Sequence, residues 1–348
     1  MIEHVLQLIE PHKLEWVARQ ARALEPFEVR IRTLYSGISA GTELTQYRGT
    51  NPYLEKRWDA SRKLFVTGSP GQTYPLEGFG YEQVGEVTEL GSGVTKLRIG
   101  QVVWGSWNHR TQAVLHEDIA APRVLQRGVN PTLGMFARIG AIALNPVHDG
   151  EIRVGDVVAV FGLGVPGLIA AQLAQLNGGE VIAVDGVDRR LELARTLGLN
   201  VLDFRVCDVA ERIKAMTNNR GADVSLEITG SYRALHDAIR ATAYNSRVVA
   251  AGFFQGDGIG LRLGEEFHHN RVQIVCSQTS GVSPSLDHRW DRLRLEQTVM
   301  RLAARGSLQL EPLVSHVMPY RDAAQAFRML DTNPAEAVQV VLEFGSEP

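Results

Sequence analysis

From about residue 146 the chain alternates short apolar runs with amphipathic stretches. Val157–Phe161 has the length and β-branching of a buried strand, and 168–176 follows with the apolar face of a helix. A second apolar run, 181–184, ends in Asp185. The rhythm continues through a helix over 189–197, a strand over 201–204, a helix over 209–217, a strand over 223–229, a helix over 232–242, and strands over 247–253 and 272–277. Repeated βα units predict an α/β fold with a doubly wound parallel sheet. The first part, 1–145, reads differently. Residues 29–34 alternate charged and apolar side chains, 81–90 and 112–116 also have strand character, and Gly and Pro punctuate the rest. The segment 49–76 has no regular period. It reads as a solvated loop or as a flap carrying Tyr53, Trp58 and Phe65 over a substrate cleft. An amphipathic helix over 292–304, a helix over 320–330 and a strand over 337–344 break the βα rhythm. They predict a C-terminal return, 286–348, onto the first domain, leaving 146–285 as the parallel-sheet domain.

Between the strand at 157 and the helix at 168 stands Gly162-Leu163-Gly164-Val165-Pro166-Gly167, a complete G-x-G-x-x-G. Gly162 permits the tight turn, Gly164 lets backbone approach a pyrophosphate, and Gly167 lets helix pack on strand. The helix N-terminus offers unpaired N–H groups to phosphate. Asp185 then closes the second strand, where a carboxylate accepts hydrogen bonds from ribose hydroxyls and repels a 2′-phosphate. Strand, glycines, helix, second strand and acid in register predict a Rossmann dinucleotide site that takes NAD in preference to NADP. Arg189 could stack on adenine. Gly252, Phe253 and Ser277, at the ends of later strands, are expected near the nicotinamide.

Composition narrows the class further. Of 348 residues, 44% are hydrophobic and 22% charged, and the formal charge of -3 with no basic block argues against nucleic-acid binding. No apolar run has the roughly 18 residues of a membrane span. The first residues lack the pattern of a secretory signal. Two cysteines, Cys207 and Cys276, rule out a disulfide framework, so a cytoplasmic setting is expected.

The layout resembles the medium-chain dehydrogenase/reductase superfamily. The resemblance rests on Tyr35-Ser36-Gly37-Ile38-Ser39-Ala40-Gly41-Thr42-Glu43, Gly78-Phe79-Gly80-Tyr81-Glu82, the glycine fingerprint, and the stretch from Pro319 to Phe327. It implies a GroES-like catalytic domain before the Rossmann domain, and a homodimer formed through the edge strand at 272–277. Within the superfamily, Ser-Gly-Ile-Ser-Ala-Gly-Thr-Glu is similar to the branch of bacteriochlorophyllide hydroxyethyl dehydrogenases and related alcohol dehydrogenases. Zinc-dependent members carry a Cys where Ser39 stands and a His where Tyr81 stands. Their third ligand falls 17 residues before the glycine here numbered 155, at Arg138. Ser, Tyr and Arg are poor substitutes for thiolate, imidazole and carboxylate. The four-Cys structural zinc lobe is missing as well. No zinc is therefore expected, a rearranged site using Glu82 and His109 being the alternative.

Without a metal, side chains must handle the reacting oxygen. Thr42 matches the family's proton-relaying hydroxyl. Tyr81 could point its phenol at the substrate, with Glu82 bonded to Tyr81 or Arg138. Arg138 could polarise a carbonyl. Ser39 and Trp107 are expected to line the substrate pocket, and His109 is either a general acid/base or a structural residue. Three functions remain open: an NAD-dependent dehydrogenase of a polar or cyclic secondary alcohol, an NADPH-dependent enoyl or quinone reductase, and a non-catalytic dinucleotide-binding protein.

Overall fold

A computed structural model describes residues 1–345. The chain forms two compact units, Met1–Arg138 with the chain from Val314, and Ile139–Leu313.

The first unit begins with the hairpin β1 (Ile2–Glu10) and β2 (Lys13–Gln20). The long strand β3 (Glu28–Ile38) leads into helix α1 (Ala40–Tyr47). The segment expected to be irregular contains a hairpin of its own, β4 (Lys56–Asp59) and β5 (Leu64–Thr67), where Phe65 meets Trp58 and Tyr53 edge to face. Strands β6 (Leu76–Glu77), β7 (Glu82–Leu90), β8 (Val102–Gly105) and β9 (Gln112–His116) follow, and then the one-turn helix α2 (Glu117–Ala120). Helix α3 (Phe136–Asp149) enters the second unit.

That unit is built from β10 (Val157–Phe161), α4 (Val165–Leu176), β11 (Glu180–Asp185), α5 (Asp188–Thr196), β12 (Asn200–Asp203), α6 (Val209–Met216), β13 (Ala222–Glu227), α7 (Tyr232–Ala241), β14 (Thr242–Ala250), β15 (Gln273–Cys276) and α8 (Arg292–Ala304). Its parallel sheet runs β12-β11-β10-β13-β14-β15, the α/β arrangement expected. The chain then rejoins the first unit as β16 (Val314–Pro319), α9 (Ala323–Thr332) and β17 (Gln339–Glu343).

Both joints differ from the expected limits at 146 and 286. Helix α3 is continuous through 146, and a Cβ on its Gly140 would meet Val299 of α8. That close approach keeps both helices in the second unit, so the return begins at Val314.

In the first unit β17 pairs antiparallel with β3, β3 pairs with β7, and β7 with β8, while β9 pairs the first half of β3. A core of Leu6, Leu44, Tyr47, Phe79, Phe327 and Val340 holds α1 and α9 to this framework. Burying a side chain such as Phe327 contributes roughly 1.5–3 kcal/mol. Among the described residues no helix is long and apolar enough to cross a membrane.

Candidate functional site

The register of β3 on β7 pairs Gly37 with Glu82. It therefore brings Ser39, just after β3, beside Tyr81, just before β7. Ser39 is the N-cap of α1, yet its hydroxyl caps nothing. Glu43 turns back instead, its Oε1 accepting the Ser39 N–H at 2.8 Å. The Ser39 hydroxyl is thereby left to bond the Tyr81 phenol. Thr42, exposed on the first turn of α1, adds a third hydroxyl that bears on the same phenol. Burial, and then the neighbouring Glu82 charge, push the Tyr81 phenol above its ordinary range, so it stays protonated as a hydrogen-bond donor.

Glu82 is 0% exposed and neither of its carboxyl oxygens has a hydrogen-bond partner. It makes neither the bond to Tyr81 nor the bond to Arg138 that the sequence suggested. A Cβ on Gly37 would stand 2.5 Å from its Oε2 and 3.0 Å from the Gln339 amide nitrogen, so Glu82 and Gln339 crowd one dry spot. Burial first, and the Glu43 charge second, raise its pKa well above the ordinary carboxyl value.

His109 is also 0% exposed. Its Nδ1 lies 2.7 Å from Ser36 Oγ and its Nε2 2.7 Å from Glu43 Oε2. Gln83 donates to the same Ser36 oxygen at 3.0 Å. A ring that accepts the Ser36 hydroxyl at Nδ1 and donates to Glu43 from Nε2 satisfies every partner. Gly80, at φ +88°, is where the chain passes the ring, and a Cβ there would meet Nε2 at 2.6 Å. This geometry corrects the general acid/base reading, because a sealed imidazole with both nitrogens engaged holds Glu43 and α1 in place and does not reach substrate. Trp107 is corrected too. At 5% exposure it packs with Val29, Ile31, Val87 and Val103, and its indole N–H donates to Thr33 Oγ1 at 3.0 Å, so it belongs to the core and not to a pocket wall. Arg138 lies half-buried near the start of α3. Sequence reasoning missed Glu43, Ser36 and Gln83, which no motif links to His109.

These donors do not fit zinc. Ser39 and Tyr81 offer hydroxyl oxygens bonded to each other in place of the thiolate and imidazole that hold zinc. His109 has no nitrogen to spare. Among the described residues the one group of His, Cys, Asp or Glu with ligand atoms within 4.8 Å of one another is His236, Glu265 and Glu266, in the second unit.

The glycine fingerprint of the second unit does fit a dinucleotide. Gly162 takes φ +95°, and a Cβ on Gly167 would fall on the Gly162 carbonyl. Around Gly164 the space is open, a Cβ meeting nothing nearer than Pro166 at 3.9 Å. Helix α4 starts at Val165, with Pro166 at a position where no N–H is needed. Leu163 differs from expectation. Its side chain is buried, and its N–H donates to Asp185 Oδ2 at 2.7 Å, so that group is not offered to phosphate. Asp185 also accepts from Gly186 and Val187 N–H at 2.7 and 2.9 Å and has Arg190 at 3.6 Å. The acid therefore fastens β11 to the glycine turn and keeps only part of its accepting capacity for a ribose. Arg189 is exposed at the start of α5, and Phe253 is exposed beyond β14. Ser277 is buried, its hydroxyl accepting from Asn145 at 3.2 Å.

Comparison with known proteins bears on this arrangement. Residues 166–292 match the family model described as zinc-binding dehydrogenase, a span that contains none of positions 39, 81 and 138. The chain is 30% identical over 345 residues to the D-guloside 3-dehydrogenases of Shigella flexneri and Escherichia coli, covering 96% of this chain and 98% of theirs. It is 26% identical over 285 residues to (R,R)-butanediol dehydrogenase of Bacillus subtilis, covering 74% and 78%. Among solved structures, 2R,3R-butanediol dehydrogenase from Bacillus subtilis superposes with a TM-score of 0.79 at 20% identity, covering 98% and 99% of the two chains. Galactitol-1-phosphate dehydrogenase from Escherichia coli gives 0.77 at 19%, covering 98% and 99%. The chain belongs to the zinc-type alcohol dehydrogenase-like family of the medium-chain dehydrogenase/reductase superfamily, and it is an NAD(P)-dependent dehydrogenase of that type.

Proposed function

We propose that this dehydrogenase works without zinc, uses NAD(H), and interconverts a secondary alcohol of a polyol or sugar ring with its ketone. One observation carries the reading: where zinc ligands would stand, the Tyr81 phenol is bonded to the Ser39 hydroxyl, and the buried Glu82 beside them has no hydrogen-bond partner. The Ser-Gly-Ile-Ser-Ala-Gly-Thr-Glu stretch supports the same zinc-independent branch. The polyol or sugar substrate draws on the relatives, whose names include D-guloside 3-dehydrogenase and L-galactonate-5-dehydrogenase.

The bound nicotinamide supplies hydride acceptance or donation. The chain's own groups do the rest. The Tyr81 phenol donates to the substrate oxygen and steadies its charge as the C–H bond breaks or forms. Thr42, the exposed hydroxyl, passes the proton between that oxygen and water. Ser39 orients the phenol. Burial raises the Glu82 pKa, which disfavours a second negative charge beside the developing alkoxide. In the second unit the 162–167 turn holds the pyrophosphate, and Asp185 meets the ribose. Its negative charge disfavours a 2′-phosphate, which argues for NAD and against the NADPH-dependent reductase reading. Edge strand β15, with Ile274 and Cys276 exposed, supports a homodimer in which β15 pairs across a two-fold axis. Unpaired Cys207 and Cys276 agree with a cytoplasmic setting.

The test is turnover of metal-depleted protein with NAD⁺ and a panel of polyols and methyl glycosides, beside the same protein given Zn²⁺. Equal rates support the proposal. Activity that appears only with zinc refutes it.

A further inference from the structure

Glu227 is the last residue of β13, paired with Phe161 of β10 and Ala250 of β14. It is 0% exposed. Its Oε1 accepts the Thr229 N–H at 2.8 Å and also bonds the Thr229 hydroxyl. Its Oε2 accepts the Gly230 N–H at 3.2 Å. Its backbone carbonyl accepts the Ala251 and Gly252 N–H groups at 2.8 and 3.0 Å. One residue therefore fastens two strand-end loops, 228–231 and 251–253.

The loops lie against each other with no room to spare. A Cβ on Gly252 would fall on the Gly230 backbone, and one on Gly230 would stand 2.7 Å from the Phe253 carbonyl oxygen. The same carboxyl orients Thr229, whose methyl reaches the fingerprint turn: a Cβ on Gly162 would meet it at 2.5 Å. The residues set against the carboxyl (Phe161, Thr229, Gly230, Ser231, Ala250, Ala251 and Gly252) are all uncharged.

We propose that Glu227 is the positioning residue of the dinucleotide cradle, its backbone carbonyl holding loop 251–253 while its carboxylate holds loop 228–231 and seats Thr229 against Gly162, so that its proton state tunes dinucleotide affinity. Three N–H and O–H donors suit an anion, whereas a carboxylic acid brings a donor of its own and loses part of the clamp. Burial pushes the Glu227 pKa up to about 7 against the opposing pull of the Thr229 hydroxyl and the backbone N–H groups. The clamp is thus fully set above that pH and loosened below it.

The inference rests on the reading that the second unit holds NAD(H), and the experiment separates the two. NADH affinity of the full-length protein is measured by fluorescence from pH 5.5 to 8.5 for wild type, E227Q and E227D. The expected wild-type Kd falls about tenfold through pH 7, the scale of one charge-assisted hydrogen bond. E227Q is expected to bind as weakly as acidified wild type and to be flat with pH. E227D retains a carboxylate, so it is expected to keep the inflection with weaker binding, and it serves if E227Q does not fold. An E227Q protein with wild-type affinity and a wild-type profile overturns the inference, as does an E227D profile without an inflection. Failure of the wild type to bind NADH at any pH overturns the reading on which it rests.

Discussion

Replacing Tyr81 by Phe deletes one oxygen and leaves the ring in place. In the folded protein that oxygen bonds Ser39 and stays protonated, so the substitution removes the group that donates to the substrate oxygen while Ser39 and Thr42 remain. Loss of a positioned donor to a developing oxyanion costs about 10²–10³ in kcat, or roughly 3–4 kcal/mol. The accompanying loss of stability is smaller, about 1 kcal/mol for one hydrogen bond at a half-buried site. NADH affinity should not change, because the glycine turn and Asp185 belong to the other unit. The assay is steady-state turnover with NAD⁺ and an alcohol, together with a Kd for NADH and a melting curve. A Tyr81→Phe protein that retains more than a third of wild-type kcat would refute the role given to the phenol (the one-third limit is about 0.7 kcal/mol).

His109→Ala should be far more costly to stability than to chemistry. It strips the buried Glu43 carboxylate of its Nε2 partner, and a buried acceptor left unsatisfied costs about 1–3 kcal/mol, read as a lowered midpoint in urea. Acid–base linkage at Glu227 gives a signed pH effect. Its pKa in the folded chain, about 7, lies above the ordinary 4.5. The folded state therefore binds that proton more tightly, and the stabilisation is full below pH 4.5 and is lost as the pH rises through 7. The difference is at most about 3 kcal/mol. Urea melts across that window should show a decline in wild type that Glu227→Gln lacks. Ile274→Lys places a charge on the exposed edge strand and should convert a dimer to a monomer by light scattering. An unchanged mass would remove β15 from the interface.

The parallel-sheet unit was legible because burial on both faces writes its strands as continuous apolar runs. Val157–Phe161 and Arg292–Ala304 have the limits that the pattern predicts, and most neighbouring elements differ by a few residues. The hairpin of β1 and β2 was not legible. Its strands mix charged and apolar residues, and only Val5, Leu6 and Leu8 of its apolar side chains are buried. The boundary at α3 was hidden for another reason: its apolar face runs unbroken through both units, and the packing of Gly140 on Val299 lies 159 positions away in sequence. The site was legible where a motif marks it, as at Ser39, Tyr81 and the fingerprint. His109 and Glu43 lie 66 positions apart, and only the closure of the first unit's framework brings them together. Glu227 carries no motif either. A carboxylate at the end of a largely buried strand was the available signal, and its meaning depends on which N–H groups surround it.

The account stands most directly on the phenol bonded to Ser39 and the buried, unpartnered carboxyl that occupy positions 81 and 82. Metal content by mass spectrometry, measured on the same sample whose turnover is recorded before and after exhaustive chelation, tests it. The account predicts less than about a tenth of a zinc per chain and an unchanged kcat. One zinc per chain, lost together with activity and restored with it, would contradict it.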